Sequence, residues 1–184
     1  MPWIKVIEEG EAVGRLKEIY QEILEKRGKI ANIMKIHSLN PEALKNHLDL
    51  YLTIMFRKPG LKRWERELVA VIVSRVNNCR YCIAHHSSAL SRYWDEEKIK
   101  KFVENMEMNV LDDRTREIVR YAVKLTEKPS EVKEEDIFRL RRVGLTDEEI
   151  LSLNLIISYF NFVNRIVLGL GVEYTDEELE GYRY

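Results

Sequence analysis

Apolar residues recur every three or four positions along most of the chain, which is the spacing that places them on one face of an α-helix. Clear stripes of this kind occupy residues 16–24, 44–55, 118–125 and 150–166. No segment alternates apolar and polar residues over the length of a strand next to hairpin turn residues. The pattern therefore predicts an all-α helical bundle.

Residues suited to helix ends separate these stripes. Helix-capping residues precede four predicted helices: Asn40, Asp95, Asp112 and Thr146. Thr146 is followed three residues later by Glu149, which is the spacing of a capping box. No segment has the composition of a linker, so we expect a single all-helical domain over residues 1–184.

The central apolar segment is compatible with either a buried strand or a buried helix. Residues 68–73 are six consecutive apolar residues, as in a buried strand, but a highly charged stretch precedes them. The length of the whole segment favours a buried helix over about residues 61–76. Asn77 and Asn78 then interrupt it, and we expect Asn78 to cap a new helix that begins at Cys79.

Charge and composition exclude several classes of protein. Lys and Arg total 30 and Asp and Glu total 31, so there is no basic excess for binding nucleic acid or an anionic membrane surface. The apolar run at 68–73 is far shorter than the ~20 residues of a membrane span. The N-terminus does not resemble a signal peptide, so we expect a cytoplasmic protein. Two cysteines exclude a secreted scaffold with several disulfides.

Both cysteines lie in one short motif. On a helix, Cys79, Cys82 and His86 fall within roughly 60° of one another, and Cα atoms three residues apart are close enough for a disulfide. A helix N-terminus stabilises a thiolate, and a neighbouring imidazole can take the thiol proton. Glu67, on the preceding helix, is a candidate to orient His86 and complete a proton relay.

The spacing of these four residues resembles the active-site pattern of the alkylhydroperoxidase D and carboxymuconolactone decarboxylase superfamily. Glu67 is followed twelve residues later by Cys79, then by Cys82, and then by His86 four residues on. The core of the resemblance covers about residues 42–126.

The sequence around and beyond this motif is similar to that of the superfamily's branch of uncharacterised peroxidase-related proteins. Residues 65–86, 161–165 and 169–173 carry this likeness, which extends over nearly the whole chain. The resemblance implies an alkylhydroperoxidase D-like helical bundle. The N-terminal helices and a long C-terminal helix would pack on its core. It also implies assembly into homo-oligomers, with trimers and hexamers as the usual forms.

The resemblance further implies thiol peroxidase chemistry without a cofactor or a bound metal. Cys82 would be the thiol that attacks a hydroperoxide and Cys79 the resolving thiol, with His86 and Glu67 as the relay. A thiol or dithiol reductant would then reopen the disulfide. The sequence differs from alkylhydroperoxidase D at Tyr81, where that protein has a histidine, so the relay has one titratable group fewer.

Other interpretations of the same residues stay open. His85 and Tyr81 are candidates to assist the relay, although Tyr81 is expected to pack elsewhere because it points away from the cysteine face. Cys79, Cys82 and His86, with Glu67 or His85, also suit a zinc site in a metal-binding helical oligomer. The decarboxylase side of the superfamily suggests a cofactor-free lyase acting on a lactone acid.

Two polar features of the predicted helices have structural alternatives. Glu67 is also placed to pair with a nearby arginine such as Arg66 or Arg75. Asn161, Asn164 and Arg165 interrupt an otherwise apolar helix, where buried polar groups need partners. We expect these three residues to tie helices or subunits together rather than to bind a ligand.

Overall fold

A computed structural model describes residues 2–58 and 60–179, and every regular element in them is helical. This confirms the all-α prediction. The α-helices are α1 Gly14–Arg27, α2 Asn32–Lys35, α3 Pro41–Phe56, α4 Arg63–Val76, α5 Arg80–Leu90, α6 Glu96–Asn105, α7 Asp113–Glu127, α8 Glu134–Arg142, α9 Asp147–Leu170 and α10 Asp176–Leu179. Short 3₁₀ turns lie at Glu9–Glu11, Met108–Val110 and Pro129–Glu131.

The predicted capping residues satisfy the first backbone N–H groups of their helices. The side chains of Asn40, Asp95 and Asp112 each accept a hydrogen bond from the N–H three residues later. Thr146 and Glu149 form the reciprocal bonds of a capping box at the start of α9. The chain's local chemistry therefore determines where these helices begin.

The chain divides into two compact units. One comprises the described parts of Met1–Thr53 and Arg165–Tyr184, and the other is Ile54–Asn164. The organisation of residues 1–184 as a single domain stays a prediction. The second unit contains both cysteines, Glu67 and His86.

Helix α4 forms the centre of the second unit and contacts α5, α6 and α7. Every residue from 65 to 74 is buried, so the apolar run at 68–73 is a core helix as predicted. Burying a charge is costly unless the charge is paired. Glu65 accordingly accepts from Arg114 at 2.8 Å, and the Arg66 guanidinium donates to the Leu61 and Ile54 carbonyl oxygens.

Helix α9, Asp147–Leu170, is the long apolar C-terminal helix that the sequence predicts. It is long and apolar enough to cross a membrane, although half of its most apolar stretch is buried inside the protein. The core helix of a globular protein has the same properties, so one such helix is weak evidence for a membrane span. The helix ends at Leu170, directly before Gly171, which has a positive φ of 64°.

Two histidines of the first unit form a buried pair. The His47 Nδ1 and His37 Nε2 atoms are 3.1 Å apart, and His37 Nδ1 lies 2.8 Å from the Ile33 carbonyl oxygen. Because His37 Nδ1 donates to a carbonyl oxygen, the Nε2 atom of the neutral His37 ring accepts the hydrogen bond from His47 Nδ1–H. Burial lowers the pKa of His37, and burial with the neighbouring His37 lowers the pKa of His47 to about 3.

This pair predicts that the protein loses stability as the pH falls below 6.5. The unfolded chain binds a proton at His47 below pH 6.5, whereas the folded chain does not, so stability falls as the pH falls. Between pH 6.5 and 5 the loss from His47 is about 2 kcal/mol. Urea unfolding of the wild type and His47→Gln at pH 7 and pH 5 measures it. The variant should lose less stability than the wild type, and equal losses would contradict the account.

Candidate active site

Glu67 and His86 meet across two helices of the second unit. Helix α4 carries Glu67 and α5 carries His86, and the His86 Nδ1 and Glu67 Oε2 atoms are 2.6 Å apart. The Glu67 side chain is 1% exposed. Its other oxygen, Oε1, contacts the guanidinium of Arg63, one turn earlier on α4. The carboxylate therefore lies between a cation and an imidazole.

The predicted pairing of Glu67 with a nearby arginine is confirmed, but the partner is Arg63, four residues earlier on α4. Arg66 instead donates to backbone carbonyl oxygens in the core. Arg75 donates to the carbonyl oxygens of Val103 and Glu104.

The position of Glu67 fixes the chemistry of the His86 ring. A carboxylate accepts hydrogen bonds, so the neutral imidazole carries its proton on Nδ1 and leaves Nε2 as the basic nitrogen. The buried Phe160 ring on α9 meets the His86 ring edge to face, with centroids 4.6 Å apart. The ring is thus held by a hydrogen bond at one nitrogen and by an aromatic contact, an arrangement suited to a general base.

The cysteine motif begins in the three-residue turn, 77–79, that separates α4 from α5. Asn77 caps the C-terminus of α4, and Asn78 has a positive φ of 55°, in the left-handed region that asparagine tolerates. Cys79 is the N-cap of α5, and its N–H donates to the Ser74 carbonyl oxygen at 2.8 Å. The prediction that Asn78 caps the helix and Cys79 occupies its first position is therefore wrong by one residue.

Both thiols are free and buried, with Cys79 0% and Cys82 2% exposed. The pKa of the Cys79 thiol is lowered, chiefly because the Cys82 thiol donates a hydrogen bond to its sulfur. The same hydrogen bond, together with burial, raises the pKa of Cys82 well above its usual value.

A chain of polar side chains supports the cysteine turn. The Asn77 Nδ2 atom donates to Asn161 Oδ1 and to Asn164 Oδ1, both at 3.0 Å. Asn164 Nδ2 donates to Ser74 Oγ at 3.1 Å, and Asn161 Nδ2 donates to Thr126 Oγ1 at 3.2 Å. Asn161 and Asn164 thus join α9 to α4 and α7, as predicted for polar residues on this apolar helix.

The remaining candidates lie beside the motif. The Tyr81 and His85 rings contact each other with centroids 4.5 Å apart, and Tyr81 is buried, in agreement with its expected role in packing. Within residues 2–58 and 60–179, no group of three or more His, Cys, Asp or Glu side chains is arranged to hold a metal ion.

Sequence reasoning missed several residues that build this site. Arg63, Ser74, Asn77 and Phe160 all contact predicted site residues or their supports. For Arg63 a signal existed, namely its four-residue spacing from Glu67 on one helix. The other three contacts join segments that are distant along the chain, and no local pattern encodes them.

Comparison with known proteins relates this geometry to a family. Residues 41–124 match the Carboxymuconolactone decarboxylase family. The matched segment runs from α3 into α7 and includes Glu67, both cysteines and His86, close to the predicted core of about 42–126.

The likeness to known proteins extends beyond the segment that matches this family. A crystal structure of an alkylhydroperoxidase AhpD core, an uncharacterized peroxidase-related protein from Ralstonia eutropha JMP134, has a TM-score of 0.84 and 25% identity, covering 97% of this chain and 94% of that chain. An uncharacterized peroxidase-related protein from Silicibacter sp. TM1040 has a TM-score of 0.82 and 27% identity, covering 99% and 93%. Among curated proteins, uncharacterized protein YdfG of Bacillus subtilis (strain 168) is 24% identical over 136 residues, or 73% of this chain and 91% of YdfG.

The turn before Cys79 gives a test of how the motif is positioned. The left-handed conformation of Asn78 costs a β-branched residue about 1–2 kcal/mol, whereas glycine adopts it freely. Asn78→Val should therefore lower the free energy of unfolding of the reduced protein by that amount. Asn78→Gly, the matched control, should change it by a few tenths. Urea unfolding measures both, and equal stability of the two variants would contradict the turn geometry.

Proposed function

We propose that the protein is a thiol-dependent peroxidase that reduces hydroperoxides through Cys79 and Cys82. One observation carries the proposal. A hydrogen-bonded Glu67–His86 pair lies in the same compact unit as two free thiols, and His86 is one helical turn beyond Cys82. The structural relatives described as peroxidase-related support the same chemistry.

In the first step, His86 takes the Cys82 proton at Nε2 and Glu67 stabilises the resulting imidazolium. The Cys82 thiolate attacks the terminal oxygen of the hydroperoxide, so that an S–O bond forms and the O–O bond breaks. The alkoxide that leaves takes the proton from His86 and departs as an alcohol. Cys82 is then a sulfenic acid, oxidised by the two electrons that reduced the peroxide.

In the second step, the Cys79 sulfur attacks the Cys82 sulfenic acid, and the disulfide forms with loss of water. The lowered pKa of Cys79 suits this role because the thiolate is the nucleophile. Two thiols of an external reductant then reopen the disulfide by exchange and are themselves oxidised to a disulfide. The raised pKa of Cys82 explains why the first step needs His86 as a base.

The dithiol favours this function over lyase chemistry. The family name also describes decarboxylases, and a fold does not by itself determine a reaction. A cofactor-free lyase has no use for two adjacent thiols with opposite pKa shifts. A compartment that keeps thiols reduced, such as the cytoplasm, suits the resting state of this pair.

The relay is tested by the rate at which the reduced protein consumes one equivalent of an organic hydroperoxide. His86→Asn removes the base and should slow the reaction by at least about 100-fold. Glu67→Gln should slow it about tenfold or more, because an amide no longer fixes the ring tautomer. Glu104→Gln, an exposed site on α6, is the matched control and should react like the wild type. Unchanged rates in both relay variants would overturn the proposed relay.

The roles of the two cysteines are tested by their serine variants. Cys79→Ser should still react with hydroperoxide and accumulate a sulfenic acid at Cys82, which dimedone labels and mass spectrometry locates. Cys82→Ser should not react at a comparable rate. If Cys82→Ser retains the wild-type rate and Cys79→Ser loses it, the assignment is reversed.

We also propose that the protein works as a homo-oligomer, a trimer or a hexamer, that uses the outer face of α9. Leu151, Leu155 and Phe162 are exposed apolar residues at helical spacing on this face. Exposed apolar stripes of this kind mark protein contacts. In sedimentation experiments Leu151→Glu with Leu155→Glu should produce smaller species, while Phe138→Glu, an exposed apolar site on α8, should not. A monomeric wild type would overturn this proposal.

A further inference from the structure

Asn164 is the polar side chain that connects the supporting chain to the dithiol. It lies on α9 and is 0% exposed. Its Nδ2 atom donates to Ser74 Oγ, and the backbone carbonyl of the same Ser74 accepts the N–H of Cys79. The Asn164 amide and the Cys79 backbone are therefore both fixed to one residue of α4.

The partners of Asn164 determine which way its amide points. Asn77 Nδ2 donates to Asn164 Oδ1, so the oxygen end of the amide faces the turn. The reverse direction is excluded, because Asn77 Nδ2 is an amide nitrogen that can only donate, and it donates to Asn161 Oδ1 as well. The nitrogen end of Asn164, with two N–H donors, faces Ser74, and the Asn164 side chain also hydrogen-bonds to both thiols. An amide held in this way donates without any reorganisation when a thiolate forms.

We propose that Asn164 is a positioning residue. Its side-chain amide fixes the positions of the two sulfur atoms and stabilises the thiolate form of the dithiol. The proposal rests on the proposed dithiol chemistry and adds a residue outside the Glu67–His86 relay. A donor at the thiolate stabilises the reduced form of the pair relative to the disulfide. Asn164 therefore makes the disulfide easier to reduce.

The electrostatics of the two thiols agree with this role. Hydrogen bonding by the Asn164 side chain lowers the pKa of Cys79 and opposes the rise in the pKa of Cys82. Asn164 is the one side chain other than a cysteine that affects both thiols in this way among the described residues. Its loss should therefore change the titration of the pair as a whole.

The test is the pH profile of thiol alkylation in the reduced protein, together with the redox equilibrium of the dithiol with glutathione. Asn164→Ala removes the donors, and Asn164→Asp keeps the shape but replaces them with acceptors. Both should raise the pH midpoint of alkylation by about one unit, the equivalent of one charge-assisted hydrogen bond. Both should also shift the equilibrium toward the disulfide by about tenfold.

Asn154→Asp is the matched control. Asn154 lies on the same helix and donates to the Tyr121 hydroxyl at 3.1 Å. It is not one of the hydrogen-bonded residues that connect Asn164 to the dithiol. A purely structural role for Asn164 would lower the unfolding temperature and leave the alkylation midpoint at the wild-type pH, and that result would overturn the proposal. If Asn164→Asp does not fold, Asn164→Ala decides the question.

The test separates this proposal from the proposed function. Alkylation titrates the thiols whether or not they react with hydroperoxide. A wild type that ignores hydroperoxide would overturn the peroxidase proposal, and the alkylation profile of Asn164→Ala would still support or contradict the role of Asn164.

Discussion

A carboxylate buried in an apolar helix is stable only when its charge is compensated, and Glu67 meets this constraint with two partners. Arg63 contacts one carboxylate oxygen and His86 the other. Because Arg63 and Glu67 share α4, the first contact is local. The contact with His86 joins α5 to α4. Compensation of the Glu67 charge therefore also orients an imidazole on α5, the helix that carries the cysteine motif.

The second constraint concerns the break between α4 and α5. Two asparagines fill it, and they act differently. Asn78 adopts the left-handed conformation that turns the chain, whereas Asn77 uses its side chain to hold Asn161 and Asn164 on α9. Satisfied polar groups in a core restrict it to one arrangement. The side chains of Asn77 and Asn164 thus hold the turn that carries the dithiol, and the first N–H groups of α5 point toward it.

Periodicity and capping chemistry were sufficient to predict the helices, because both are local properties of the sequence. The Thr146–Glu149 capping box is an example, since both hydrogen bonds form within four residues. The four-residue motif indicated the contact between Glu67 and His86 that the structure shows. It did not predict Arg63 rather than Arg66, because that choice depends on which face of α4 points into the core. It also placed the helix start one residue early, at Cys79, because the conformation of Asn78 is not visible in residue type alone.

The central claim is that Cys79 and Cys82 form a redox couple that hydroperoxide oxidises. The most direct test is to reduce the metal-free protein, add one equivalent of an organic hydroperoxide, and follow intact mass and free thiols over time. The account predicts a rapid loss of two hydrogens, a peptide containing a Cys79–Cys82 disulfide, and full recovery of both thiols with dithiothreitol. Thiols that remain free after long exposure, at unchanged mass, would contradict it.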